Sequence, residues 1–335
     1  MTKIILGVDG GNTFTDYFLC TNKGVVIDFH RGPTCSHEHF RNSYEGAYNA
    51  LKEALDKFFS KNKIKAEEIS ASVFGLAGVD TPTQRENMEN VVRRLGFSNF
   101  TVVNDSFLGV KAITQAGVCS INGTGTASGG IDPKGNYLQV GGIGGITGDE
   151  AGGSYIARTA IRAAYDSLYR FGPDTTLSKI ILDYFGIDNK YYLMEKISEG
   201  LVGRKIDNHY LNLKVFEEAT LGDEVSMSIL SQVGENTARS AGGVVSNLDF
   251  GEVVDVILAG SVWSKGRSSI MIDTFKNKIE EFTKKKCRIT ILELPPAIGA
   301  VIWAIELANG EYPKKEFRNE IINNVQVALK EKEIS

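Results

Sequence analysis

The sequence is poor in the residues that would mark a metal centre, a membrane span or a nucleic-acid partner. Its four cysteines, Cys20, Cys35, Cys119 and Cys287, lie far apart and form no Cys-x-x-Cys pair. That spacing excludes a structural zinc site and suits reduced thiols. No apolar run approaches the roughly 18 residues that a membrane span needs. Lys and Arg number 37 against 41 Asp and Glu, for a formal net charge of -4, so there is no basic field for nucleic acid. The one dense basic run, Lys284 to Lys286, reads as the solvated end of a helix. No Gly-Lys-Ser/Thr triplet occurs, which excludes a P-loop, and the first glycine turn lacks the Gly-x-Gly-x-x-Gly spacing. The chain opens directly on the strand-like KIILGVD, without a leader-like pattern, and a cytoplasmic location is therefore expected.

Glycine is what the sequence has in excess: 36 of 335 residues, against a usual level of about 7%. The glycines cluster at Gly7 to Gly11, Gly123 to Gly153 and Gly242 to Gly266. Glycine costs backbone entropy and packs nothing, so clusters point to places where backbone must turn tightly or approach a ligand. The length allows two domains. Lys3 to Val8, Phe14 to Cys20 and Val25 to His30 read as three strands joined by short turns. Helix and strand then alternate: Ser43 to Phe59, Ile69 to Leu76, Thr83 to Leu95, Phe100 to Val103. That alternation predicts an α/β domain with a parallel sheet. Near Gly117 the pattern restarts, because VCSINGTG and SGGIDPKGNYLQVGG again read as strand, glycine turn, strand, turn, strand. Helices are predicted over Ser154 to Tyr169, Glu224 to Leu248, Gly266 to Phe282, Ala297 to Ala308 and Lys314 to Lys330. Strands are predicted over Val253 to Leu258 and Arg288 to Leu292. The division expected is residues 1–116, joined by a last helix over 312–330, and a second domain over 117–311, with a ligand cleft between like-built halves.

Three motifs carry chemistry. In GVDGGNT (Gly7 to Thr13) a strand runs into a glycine hairpin. The backbone N–H groups of Gly10, Gly11 and Asn12 can face phosphate oxygens, Thr13 can add a hydroxyl, and Asp9 can hold a hydrated magnesium ion. INGTGTASGG (Ile121 to Gly130) repeats the device through Thr124 and Gly125. In VVNDS, Asp105 sits at the carboxyl end of a strand, where open α/β sheets place ligands. It suits a general base, although Asp is also a preferred N-cap and a plain capping role is the alternative. Asn104 is placed to fix its carboxylate. Cys35-Ser36-His37-Glu38-His39 has two histidines beside a cysteine but no second ligand cluster to complete a zinc site.

These landmarks, together with GLAGVD (Gly75 to Asp80), the glycine-rich VGGIGGITGDEAGGS (Val140 to Ser154) and ILAGSVW (Ile257 to Trp263), resemble the actin, Hsp70 and hexokinase superfamily. Within it the chain resembles the N-acetylglucosamine kinase branch, grouped with the BadF/BadG/BcrA/BcrD ATPases. The resemblance implies two ribonuclease H-like, actin-like ATPase domains and an ATP-dependent kinase of amino sugars, with ATP and Mg2+ as cofactors. It implies a homodimer acting on a small-molecule sugar. It makes Asp105 the base that accepts the sugar hydroxyl proton, and assigns Gly260, Ser261 and Ser264 to the nucleotide beside the two hairpins. The implied sugar contacts are Ser36, His37, Asn104, Asp105, Thr126, Ala127, Gly142, Ile143, Gly144 and Asp149. Two positions depart from the branch: Ser36 stands for an Asn, and Ile143 for a Trp. The alternative reading is an ATPase that drives a partner enzyme, as BadF-type activators do. Those hold an iron–sulfur cluster through closely placed cysteines, which this chain lacks.

Overall fold

The computed structural model describes residues 1–333, and they form two compact α/β units. The first comprises Met1–Cys119, Gly130–Tyr137 and the described residues from Leu292 onward; the second comprises Ser120–Gly129 and Leu138–Ile291. The segment 292–311 is thus grouped with the first unit.

The first unit is built on a five-stranded sheet of order β3-β2-β1-β4-β5. β1 (Ile4–Gly10), β2 (Phe14–Thr21) and β3 (Val26–Pro33) form an antiparallel meander, while β4 (Ile69–Leu76) and β5 (Phe100–Val103) continue parallel to β1. Helices α1 (Tyr44–Asn62) and α2 (Pro82–Arg94) supply the crossovers. Leu51, Leu55, Phe58 and Phe59 of α1 and Met88, Val91 and Val92 of α2 bury their apolar stripes against Leu6, Leu19 and Phe74 of the sheet. The start of α2 is written in sequence: the Thr81 hydroxyl accepts from the Gln84 N–H, Gln84 accepts from the Thr81 N–H, and Pro82 occupies the first turn.

Two further helices belong to this unit, α3 (Ser106–Ile113) and α11 (Ala297–Asn309), with α12 (Lys315–Glu333) beside β3. α11 comes so close to its neighbours that side chains are excluded. A Cβ on Gly299 would collide with the Leu108 carbonyl of α3, and one on Gly7 would lie 2.8 Å from the Val301 nitrogen. A buried ion pair also ties the two helices, Lys111 Nζ to Glu306 Oε2 at 2.6 Å, with Trp303 and Tyr312 around the ammonium. Burial depresses the Lys111 pKa more than Glu306 raises it.

The second unit is built on the sheet of order β10-β9-β6-β7-β8. Its strands are β6 (Gly117–Asn122), β7 (Thr126–Ile131), β8 (Tyr137–Gly141), β9 (Val253–Ala259) and β10 (Lys286–Ile291). Reversed, that order is the order of the first sheet, so the repeat legible at Gly117 is a repeat of topology. Its helices are α4 (Gly153–Tyr169), α5 (Leu177–Tyr184), α6 (Leu193–Val202), α7 (Asn208–Leu221), α8 (Glu224–Asn247), α9 (Ser261–Ser264) and α10 (Ser269–Thr283). α5 to α7 fall in a stretch where the sequence predicted no element. They close a small core of Ala157, Ala164, Ile181, Leu193 and Leu211 with α4. The ILAGSVW segment turns helical at Ser261, earlier than the Gly266 start predicted, and α10 begins at Ser269. Among the described residues no helix is long and apolar enough to cross a membrane.

Candidate active site

In the first unit four aspartates gather at one end of the sheet: Asp9, Asp80 and Asp105 at or just after the carboxyl ends of β1, β4 and β5, and Asp16 near the amino end of antiparallel β2. Asp9 lies at the end of β1, partly accessible, and its carboxyl is pushed up to about 8. Burial is the main cause, followed by the charges of Asp105 and Asp16, and a backbone N–H from Ala297 and the charge of Arg31 offset only part. Asp16 itself is held by Arg31 through two bonds of 2.7 and 2.8 Å. Next to Asp9 the turn is tight: a Cβ on Gly10 would lie 2.7 Å from Leu76 Cδ2 and 3.0 Å from Cys35 Sγ. The Gly11 N–H closes the hairpin on the Phe14 carbonyl at 3.0 Å, and Asn12 and Thr13 are exposed at its tip.

Asp105 stands at the N-cap of α3 yet makes no side-chain cap bond. The neighbouring Asn104 has that role, its Oδ1 accepting the Ser106 N–H at 2.9 Å while its Nδ2 donates to Asp80 Oδ1 at 3.0 Å. The Asp105 carboxyl is pushed up to about 6, first by burial and then by the Asp80 charge, against the backbone N–H groups of Ser106 and Asp105. The plain capping alternative for Asp105 therefore fails on geometry. Asp80 was missed as a site residue. Its signal was the motif GLAGVD, whose final acid ends the turn after β4.

The loop after β3 brings Ser36 and His37 to the same end of the sheet. Both are buried, and Ser36 Oγ and His37 Nδ1 have no hydrogen-bond partner in the protein. The His37 ring stacks on Tyr44 at 4.6 Å, and burial lowers its pKa despite the charges of Glu38 and Asp80. Gly78, at φ +83°, faces them; a Cβ there would lie 3.1 Å from Ser36 Oγ.

In the second unit the structure brings three of the sequence motifs into one contact. The β6–β7 hairpin is closed by Gly123 N–H to the Gly125 carbonyl at 2.9 Å. Gly153 and Ser154, opening α4, donate to the carbonyls of Gly123 and Thr124 at 2.8 and 3.1 Å. A Cβ on Gly152 would collide with the Thr124 carbonyl, and one on Gly260, at φ +97°, with the Asn122 carbonyl. The turn after β9 thus rests directly on the hairpin, with Thr124, Gly125, Gly260 and Ser261 grouped. Thr126 Oγ1 donates to the Ile121 carbonyl at 2.8 Å, and Ala127 follows within β7. Ser264 Oγ donates to the Gly260 carbonyl at 3.0 Å, so this hydroxyl stabilises the turn. Trp263, fully buried, packs edge-on against Phe275 behind it.

The glycine-rich loop is organised by Asp149. Its Oδ2 accepts from the N–H groups of Gly142 and Gly144 at 2.9 and 2.7 Å and from the Thr147 hydroxyl at 3.0 Å. Gly142 and Gly144 have φ of +106° and +101°, which glycine adopts without strain. Ile143 and Ile146 are left 62% and 94% exposed at the tip. Glu150 pairs loosely with Arg158 of α4 at 3.4 Å. A groove of about 700 Å³ lined by Arg158, Arg162 and Glu224 holds none of the nominated residues.

Among the described residues no group of three or more His, Cys, Asp or Glu is arranged to hold a metal ion directly. The donors around Asp9 fit a hydrated cation better. Asp9 and Asp105 are desolvated acids, and the Ala297 N–H and Arg31 offset only part of the cost at Asp9, a balance that a hydrated divalent ion would correct.

Comparison with known proteins gives one consistent set. Residues 6–304 match the profile of the BadF/BadG/BcrA/BcrD ATPase family. The N-acetylmuramic acid/N-acetylglucosamine kinase of Clostridium acetobutylicum is 29% identical over 307 residues, covering 90% of this chain and 98% of its own. The N-acetyl-D-glucosamine kinase of Dictyostelium discoideum is 25% identical over 315 residues, with 90% and 98% covered. A solved structure from Chromobacterium violaceum, itself named only provisionally as an N-acetylglucosamine kinase, superposes with a TM-score of 0.61. It is 21% identical and covers 91% of this chain and 99% of its own, a likeness of fold.

Proposed function

Because the chain belongs to the BadF/BadG/BcrA/BcrD ATPase family, we propose that it is a kinase that phosphorylates a hydroxyl of an amino sugar from Mg·ATP. The observation that carries this reading is the Asp105 carboxylate: half-buried, raised towards neutrality and without a side-chain bond in the cap of α3. A general base needs that combination of availability and basicity. ATP supplies the γ-phosphoryl group. Asp105 takes the proton from the attacking sugar oxygen and later gives it to solvent. Asp9 would hold magnesium through water, and Gly10, Gly11, Asn12, Thr13, Thr124 and Gly125 would offer donors to phosphate. Gly260 and Ser261 leave room for the nucleoside, with Ser264 holding their turn.

Ser36, His37, Asn104, Thr126, Ala127, Gly142, Ile143 and Gly144 contact the sugar in this reading. The two unpartnered buried polar atoms of Ser36 and His37 support it, since such atoms are costly unless a ligand meets them. For Asp149 the geometry supports an indirect part, because three bonds already commit one oxygen to shaping the loop. A homodimer and a cytoplasmic location complete the proposal.

A coupled ADP-release screen over glucosamine, N-acetylglucosamine, N-acetylmuramic acid and glucose tests it. Turnover that depends on one amino sugar is the expected result. A flat screen over a steady background ATPase would overturn it in favour of an ATPase that drives a partner.

A further inference from the structure

We propose that Asp80 is a positioning residue for Asp105, acting through the Asn104 side-chain amide. The inference rests on the reading of Asp105 as the base, and its geometry stands within the first unit. Asn104 is buried at the end of β5 with both ends of its amide bound: Nδ2 to Asp80 Oδ1 at 3.0 Å, and Oδ1 to the Ser106 N–H at 2.9 Å. An ionised carboxylate can only accept, so Asp80 fixes which end of the amide faces it. The oxygen end must then face α3, where it takes the Ser106 N–H, the first of that helix.

Asp80 is itself held from behind. Its N–H and that of Thr81 both donate to Gln84 Oε1, at 3.0 and 2.8 Å, inside the capping box of α2. The bridge therefore runs from the start of α2, through Asp80 and Asn104, to the first turn of α3, and it passes around the Asp105 carboxylate without using it.

Removing Asp80 has two consequences. The Asn104 NH2 becomes a buried donor without its acceptor, and the amide loses its reason to hold one orientation. The Ser106 N–H, which already acts weakly on the Asp105 carboxyl, then loses its competing acceptor in Asn104 and is left to Asp105 alone. A carboxylate drawn into that bond is turned away from a substrate and made less basic.

The test compares wild type, Asp80→Ala and Asp80→Asn by crystallography and by ADP-release kinetics on the sugar that the screen identifies. In Asp80→Ala the Asp105 carboxylate should bond the Ser106 N–H, and kcat should fall about 10–100-fold, the cost of displacing a reacting group by an ångström or so. The KM values for sugar and ATP should stay near wild type. Asp80→Asn keeps an acceptor oxygen and should restore most of kcat, with Asn104 back in place. If the alanine variant does not fold, Asp80→Ser takes its place. An unmoved Asp105 carboxylate, a raised sugar KM at unchanged kcat, or equal losses in the alanine and asparagine variants would each overturn the proposal. If wild type turns over no sugar, the kinase reading fails, and the position of the Asp105 carboxylate in the variant crystals still decides the role of Asp80.

Discussion

Asp105 owes its chemistry to its neighbours more than to its own position. Asn104 accepts the Ser106 N–H in the cap, burial and then the Asp80 charge raise the basicity of Asp105, and Asp105 makes no side-chain cap bond of its own. Asp105→Asn should keep ATP binding but lose about 10²–10⁴-fold in kcat, the span that a positioned base supplies. In wild type, kcat/KM should fall as pH drops through about 6, where this carboxylate takes a proton. Asp9 is shifted further in the same direction: its carboxyl is raised to about 8 because burial and two acids disfavour its charge. The folded state therefore holds that proton more tightly than the unfolded chain does. Its stabilising effect is complete below about 4, the ordinary carboxylate value, and is lost as pH rises through about 8. The ligand-free protein should melt at a lower temperature at pH 8 than at pH 5, in a calorimetric or dye-based scan. Asp9→Asn should flatten that dependence and raise the melting temperature at the upper pH while abolishing use of Mg·ATP. A stable, pH-insensitive but still active variant would remove Asp9 from the site.

Elements place these residues by excluding side chains at a few contacts. Gly260 adopts φ +97° and has no room for a Cβ against the Asn122 carbonyl, so Gly260→Ala must shift either the turn after β9 or the β6–β7 hairpin. A strained core of this kind costs about 1–3 kcal/mol, and the KM for ATP should rise about tenfold or more while the sugar KM holds. Steady-state kinetics with each substrate varied in turn checks it. Much at this scale was legible. The helical pattern over Thr83 to Leu95 announced α2, and glycine turns after apolar runs announced β1, β6 and β9. What could not be read was of two kinds. In α7, Leu211, Val215 and Ala219 make a narrow buried stripe while Leu213 and Leu221 are exposed, so the apolar pattern does not point to one face. The bonding of Asp149 depends on which backbone donors a folded loop turns towards it, and composition cannot show that. The same holds for Asp80, whose partner lies 24 residues further along the chain.

At the scale of the whole molecule, the two sheets share one strand order read in opposite directions, which is why the sequence could announce the second from the restart at Gly117. The assignment of segment 292–311 was harder, because α11 follows the last strand of the second sheet in the chain yet packs against β1 and α3. Glycine at positions 7 and 299 makes that packing possible, a relation between residues far apart in sequence. The four cysteines are all buried, three in the first unit and Cys287 in the second. A thiol reagent should label none of them in the native protein and all four after denaturation. Rapid native labelling together with iron-dependent colour would revive the partner-driving ATPase. The two tryptophans fall one to each unit, Trp263 behind the Gly260 turn and Trp303 on α11 beside the Lys111–Glu306 pair. The protein therefore carries a separate optical reporter in each half. With Trp303→Phe, the remaining emission comes from beside the turn assigned to the nucleoside; with Trp263→Phe, it comes from the helix whose first N–H reaches Asp9. Titrating each variant with nucleotide and with sugar would follow the two halves of the binding event by light alone, without a label and before any phosphate is transferred.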